Sequence, residues 1–122
     1  MDTSETYIKM RRKAVYDLPL KPMYGINPHH YHGDIFVDYR GDFFIQWLDG
    51  WLDLPRQDDL QKMVGKHWNE LLYDFDKFIR WSESIEEYDN ISSMEQLWLA
   101  FVMKKKYNKV WANNEWRNGS ES

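Results

Sequence analysis

Apolar positions recur along this chain with two periods, and the change between them divides it into elements. Behind Ser4, a residue type that caps helices, Tyr7, Met10 and Ala14 fall on one side at helical spacing. They predict a short helix or ordered arm over residues 2–16. Arg11, Arg12 and Lys13 stand near its C-terminal end, where the helix dipole favours cations. Residues 17–33 contain Pro19, Pro22, Gly25, Pro28 and Gly33, which exclude a regular helix and predict a long loop.

From Asp34 the period shortens. Asp34 to Tyr39 is rich in β-branched and aromatic residues, Arg40-Gly41-Asp42 reads as a turn, and Phe43 to Trp47 reads as a second strand. Asp49-Gly50 is a strong hairpin signal, because a type I′ turn needs positive φ at both central residues. Trp51 to Leu54 then returns, predicting a three-stranded antiparallel meander.

Helical spacing resumes at Pro55, placed in the first turn of a helix with Asp58 and Asp59, an apolar stripe of Leu60, Met63 and Val64, and Gly65 as its end. A longer helix over 66–82 buries Trp68, Leu71, Leu72, Phe75, Phe78 and Ile79, with Tyr73, Asp76, Lys77 and Arg80 opposite. After an acidic loop, Ser92 and Glu95 read as a capping box. It opens a helix that buries Met94, Leu97, Trp98, Phe101 and Val102 and ends in Lys104, Lys105 and Lys106. Lys109 to Trp111 and Glu115-Trp116, joined through Asn113-Asn114, predict a terminal hairpin with the two tryptophans paired across it. The order predicts an α+β fold: a small antiparallel sheet, made of the meander plus the C-terminal hairpin, with three to four helices packed on one face. Residues 1–117 form one domain in this reading and 118–122 a frayed tail.

Composition narrows the functional classes. The 122 residues suffice for one domain, and an aromatic content of 17% demands a packed core. There is no Cys, which removes disulfides, thiol nucleophiles and iron–sulfur ligation. The first twenty residues lack the apolar stretch of a signal peptide, and the longest apolar run, Leu97 to Met103, is far short of a bilayer span. A cytoplasmic protein without membrane contact is expected.

Charge is unevenly spread. Residues 35–92 carry 6 Lys and Arg against 13 Asp and Glu, a net charge of -7. Residues 1–34 are at +1 and residues 93–122 at +2. An acidic surface around Asp53, Asp58, Asp59, Glu83, Glu86, Glu87 and Asp89, anchored by Tyr88, would engage a basic partner such as a nucleic-acid-binding protein. The same charges also suit the solvated faces of a hairpin and two helices.

Other clusters offer other chemistries. In Pro28-His29-His30-Tyr31-His32-Gly33-Asp34, an extended chain would project His30, His32 and Asp34 to one side, as two imidazoles and a carboxylate for Zn, Fe or Ni. With His29 nearby, these would serve a small metal-dependent hydrolase or nuclease. The segment also matches the start of the HxHxD pattern of metallo-β-lactamase-type hydrolases. That identity is rejected: Ile35 stands where a His normally follows, and the chain is much shorter than such domains. His67, Glu70 and Asp74 share an edge of the long helix, where they could form a ligand set or an acid/base pair. Arg40-Gly41-Asp42 spells an adhesion tripeptide but equally suits a turn. Lys104, Lys105 and Lys106 with Tyr107, Lys109 and Trp111 mix basic and aromatic residues, as nucleic-acid binders do, although lysines also suit a helix C-terminus. The chain lacks HExxH, GxSxG, GxxxxGK[ST] and GxGxxG, and no cofactor is expected.

One resemblance covers roughly residues 43–117. Gln46-Trp47, Asp49-Gly50-Trp51, Leu54-Pro55-Arg56-Gln57-Asp58-Asp59-Leu60-Gln61-Lys62-Met63, Ser93 to Met103, and Tyr107-Asn108-Lys109-Val110-Trp111 are similar to small uncharacterised proteins encoded by phages and prophages of Gram-positive bacteria. In those proteins the terminal turn resembles Asp-Gly, where this chain has Asn113-Asn114. The resemblance implies a mobile-element accessory protein and no catalytic residues. Together these observations lead to the expectation of a non-enzymatic protein acting by protein contact. A metal-dependent hydrolase and a nucleic-acid-binding module are the alternatives.

Overall fold

The computed structural model describes residues 2–21, 35–38, 41–47, 50–65, 67–84 and 91–118. The histidine cluster, Asp34, the Asp49 half of the first hairpin, Glu86, Glu87, Tyr88 and Asp89 lie outside them. The chain is α+β, with four helices and small antiparallel sheets among the described residues.

Helix α1, Glu5–Lys13, begins where Ser4 Oγ accepts the Tyr7 N–H, which satisfies one of the first-turn donors. Strands β1 (Ile35–Val37), β2 (Phe43–Trp47) and β3 (Gly50–Leu54) pair antiparallel in that order. The register sets Phe43 against Leu54, Phe44 against Asp53 and Ile45 against Leu52. Because side chains alternate across a strand, Phe43, Ile45, Leu52 and Leu54 share the face that joins the main core. Phe44 and Asp53 share the other, and both are buried.

Helix α2, Gln57–Val64, starts two residues later than the proline pattern predicts. Arg56 is the N-cap, Asp59 Oδ2 accepts its N–H at 3.0 Å, and Pro55 lies just outside the helix. Gly65 ends it with φ of 69°, a left-handed conformation that costs glycine nothing. Helix α3, Trp68–Ser82, buries Leu71, Phe75 and Phe78 as expected and turns Tyr73, Asp76, Lys77 and Arg80 outward. Leu72 departs from the pattern: it is 55% exposed beside Tyr73 at 63%.

Helix α4, Met94–Tyr107, occupies the centre. Its cap is Ser93, whose Oγ accepts the Gln96 N–H at 3.1 Å, and not Ser92. Gln96 stands at the third helical position, and its Oε1 accepts the Ser92 N–H. Trp98, Leu99, Ala100, Phe101, Val102 and Met103 are all buried, while Met94 is exposed. An amphipathic helix would show water one face. An uninterrupted apolar stretch cannot, so α1, α2 and β4 gather around α4. Phe75 of α3 stacks on Trp98 with ring centroids 3.8 Å apart and meets Phe101 edge-on at 5.3 Å.

Strands β4 (Lys109–Ala112) and β5 (Glu115–Asn118) form the terminal hairpin. Asn113 and Asn114 both have positive φ, at 53° and 64°, as a type I′ turn requires. Trp111 and Trp116 pair across it with centroids 5.0 Å apart, and Trp116 Nε1 donates to the Met10 carbonyl at 2.9 Å. Asn118, expected in the frayed tail, pairs with Lys109 at the end of the ladder. Among the described residues no helix is long and apolar enough to cross a membrane.

Candidate functional site

Four ionisable side chains converge where α1, the segment after it, β2 and β3 meet. Arg11 lies one turn beyond Tyr7, on the stripe that α1 turns inward, so its guanidinium enters the protein and is 1% exposed. Its Nη2 meets Asp53 Oδ1 at 2.8 Å, and Nε reaches Oδ2 at 3.4 Å. Nη1 donates to the Leu18 carbonyl at 2.8 Å and Nη2 to that of Pro19 at 3.2 Å. Asp53 Oδ1 also accepts the Lys21 N–H at 3.0 Å, and Lys21 Nζ reaches Asp42 Oδ1 at 3.0 Å. Segment 18–21 is therefore stitched to Asp53, the acid on the second face of the sheet.

This network forms one wall of a cleft of about 310 Å³, with Phe43, Pro55, Asp59, Lys62 and Met63 among its other lining residues. Beside it, the buried Tyr7 hydroxyl donates to the Pro55 carbonyl. Burial raises that phenol well above its ordinary value, with the Arg11 charge opposing the rise. A phenol held neutral and aimed at a backbone carbonyl joins α1 to the start of α2. The guanidinium, both aspartates and the ammonium already have partners within the fold. The arrangement closes the far side of β2 and β3 over an ion pair.

Arg11 stands in the last turn of α1, as the sequence predicts, and is also the buried member of an ion pair. One expectation is corrected. Asp53 is not part of an acidic surface: it is buried and neutralised, because β3 alternation turns it away from water toward Arg11. Asp42 of the Arg-Gly-Asp turn is buried too, with Lys21 on its carboxylate, so it cannot be offered to an adhesion receptor.

The remaining candidate acids are scattered. Asp58 is exposed in the first turn of α2, 3.8 Å from Arg56 Nε. Asp59 is partly buried and serves the α2 N-terminus. Glu83 is exposed at the C-cap of α3. Glu86, Glu87, Tyr88 and Asp89 lie outside the described residues, as do His29, His30, His32 and Asp34. On α3, His67 is the exposed N-cap and shares a 2.7 Å hydrogen bond with Asn69 Oδ1. Asp74 instead pairs with Lys105 Nζ of α4 at 3.2 Å. Among the described residues no group of three His, Asp or Glu side chains is placed to hold a metal ion.

The three lysines ending α4 separate. Lys104 Nζ lies 4.8 Å from the Trp81 ring centre, Lys105 reaches Asp74, and Lys106 lies 5.9 Å from the Tyr107 ring centre. They do not form the single stripe expected of a strand-tracking surface.

A second polar cluster escaped the sequence reading. Asp2 Oδ2 accepts from Ser93 Oγ and from Gln96 Nε2, the latter at 2.8 Å, while Oδ1 accepts the Ser4 N–H at 2.8 Å. One carboxylate thus bridges the caps of α1 and α4. Partial burial pushes its pKa up, but the hydrogen bonds from Ser93, Ser4 and Gln96 outweigh burial and hold it below the ordinary value. The signal available in advance was Asp2 two residues before a capping Ser; nothing in the sequence showed that α4 would meet it.

Comparison of the chain with protein-family models, curated proteins and solved structures found no match.

Proposed function

We propose that this chain works by contact with a protein partner and supplies no chemistry of its own, as an accessory protein of a phage or other mobile element. The supporting observation is the Arg11–Asp53–Lys21–Asp42 network. A hydrolytic site needs a base or nucleophile held ready for substrate. Here the charged groups along the cleft wall hold each other and the backbone of residues 18–21. The mobile-element setting rests on the resemblance over residues 43–117.

With Asp53 removed, the acidic docking surface centres on Glu83 and the acidic residues that follow it, with Asp58 as a separate exposed acid. Its partner is basic. The test is affinity capture from bacterial host lysate, comparing the wild-type chain with a Glu83→Lys, Glu86→Lys, Glu87→Lys variant. Loss of a specific partner on charge reversal is expected. Unchanged recovery of the same partner rejects this surface.

A further inference from the structure

We infer that the cleft between the Arg11–Asp53 ion pair and α2 is a binding site for a free α-amino acid with an apolar side chain. The inference does not rest on the acidic docking surface proposed above. The cleft has two unlike walls. On one, Arg11 holds Asp53 at 2.8 Å and Lys21 Nζ holds Asp42 at 3.0 Å, and the backbone of residues 18–21 is bound to the same ion pair. That wall is fixed. The other wall is α2, where Asp59 and Lys62 stand three residues apart and both line the cleft. Asp59 Oδ2 accepts the Arg56 N–H at 3.0 Å and lies 3.9 Å from Arg56 Nε. A carboxylate offers about four acceptor sites, so it retains capacity for a further donor. Lys62 is exposed, and no ion pair joins it to Asp59 among the described residues. This wall thus presents one charge of each sign, a helical turn apart and unjoined.

Between the walls the surface is apolar and open. Phe43 and Met63 are only partly buried, and Pro19 at the rim is exposed. Arg56 lies 5.9 Å from the Phe43 ring centre but does not line the cleft, so the ring meets the cleft away from the guanidinium. Pro55 carries the chain from β3 to α2, and the Tyr7 hydroxyl on its carbonyl fixes where α2 departs from the sheet.

Size and charge select the ligand. A volume of about 310 Å³ stands at the small end of small-molecule sites, about 300–1,000 Å³, and suits a molecule the size of one amino acid. The described lining charges balance, with Arg11, Lys21 and Lys62 against Asp42, Asp53 and Asp59. A ligand with a single charge would desolvate the α2 group of like sign without giving it a partner. A zwitterion sets its ammonium on Asp59 and its carboxylate on Lys62 together, and its side chain then covers Phe43 and Met63.

The test is isothermal titration calorimetry on the full chain with L-phenylalanine, L-leucine and L-methionine. Three analogues accompany them: N-acetyl-L-phenylalanine, which lacks the ammonium, L-phenylalaninamide, which lacks the carboxylate, and glycine, which lacks the side chain. Saturable binding of at least one apolar amino acid at a single site is expected, with each analogue weaker by about tenfold or more, the loss of one charge-assisted contact. Lys62→Met should weaken the amino acid about tenfold and leave L-phenylalaninamide unchanged, because that ligand has no carboxylate to lose. Asp59→Asn keeps an oxygen for the Arg56 N–H and should weaken the amino acid without affecting N-acetyl-L-phenylalanine. Circular dichroism and the Tm of each variant confirm folding. Three results would overturn the inference: no binding of any of the three amino acids, an analogue binding as tightly as its parent, or full affinity in a folded Asp59→Asn, Lys62→Met double variant.

Discussion

Replacing Asp53 with Ala tests whether the buried ion pair holds the structure together or serves a ligand. The substitution removes both acceptors of the Arg11 guanidinium on β3 and the acceptor of the Lys21 N–H. The guanidinium, 1% exposed, is left with two backbone carbonyls and an uncompensated charge. Breaking a buried pair from one side costs about 3–5 kcal/mol, since the remaining charge stays desolvated. In a domain of this length that lowers Tm by roughly 10–15 °C. Arg11→Met should cost a similar amount, because it strands the carboxylate on the inner side of the strand. The double variant, Arg11→Met with Asp53→Ala, removes both charges and leaves neither partner buried alone. It should be more stable than the sum of the single losses by about 2–3 kcal/mol. Urea denaturation of the four proteins, read by tryptophan fluorescence and by circular dichroism, gives the cycle directly. Additive losses would refute the coupling. A single variant with wild-type stability but lost partner capture would show that the pair serves binding instead.

Three further outcomes follow from the helix ends and the hairpin. Ser93→Ala should lose about 1 kcal/mol of stability and Ser92→Ala much less, because Ser93 Oγ is the oxygen that accepts the Gln96 N–H; equal losses in urea denaturation would place the cap wrongly. Asp2 is held ionised by its hydrogen bonds in the folded state, so its contribution is full above the pKa of an unfolded aspartate and fades as pH falls through the lower folded value. The stability difference between wild type and Asp2→Asn should accordingly shrink in acid, and a difference that grows there would contradict the network. In the terminal turn, Asn114→Gly should preserve or raise Tm, while Asn113→Val should lower stability by about 1 kcal/mol or more, since a β-branched residue resists positive φ.

The elements were legible where local physics decides them. Ser4 caps α1, Gly65 closes α2, the stripe of α3 turns Leu71, Phe75 and Phe78 inward, and the Asn113-Asn114 turn pairs Trp111 with Trp116, because each rests on neighbours a few residues apart. Errors arose where two neighbouring residues could play the same local role. Ser92 and Ser93 are equally good caps by type, and the chain uses the second, which also hydrogen-bonds Asp2. Leu72 fits the apolar stripe of α3, yet the helix is rotated so that Leu71 faces the core.

Sequence alone determined the α+β class, the lack of a thiol in the chain and the tryptophan pairing of the terminal hairpin, since periodicity, composition and backbone preference act over short distances. Only the tertiary structure decided the fate of the charges. Arg11 and Asp53, separated by 42 positions, become one buried pair. Lys104 and Lys105 are turned toward Trp81 and Asp74. A charged residue carries no local mark of whether it will face water or a partner. That depends on which distant backbone the fold brings within a few ångströms of it.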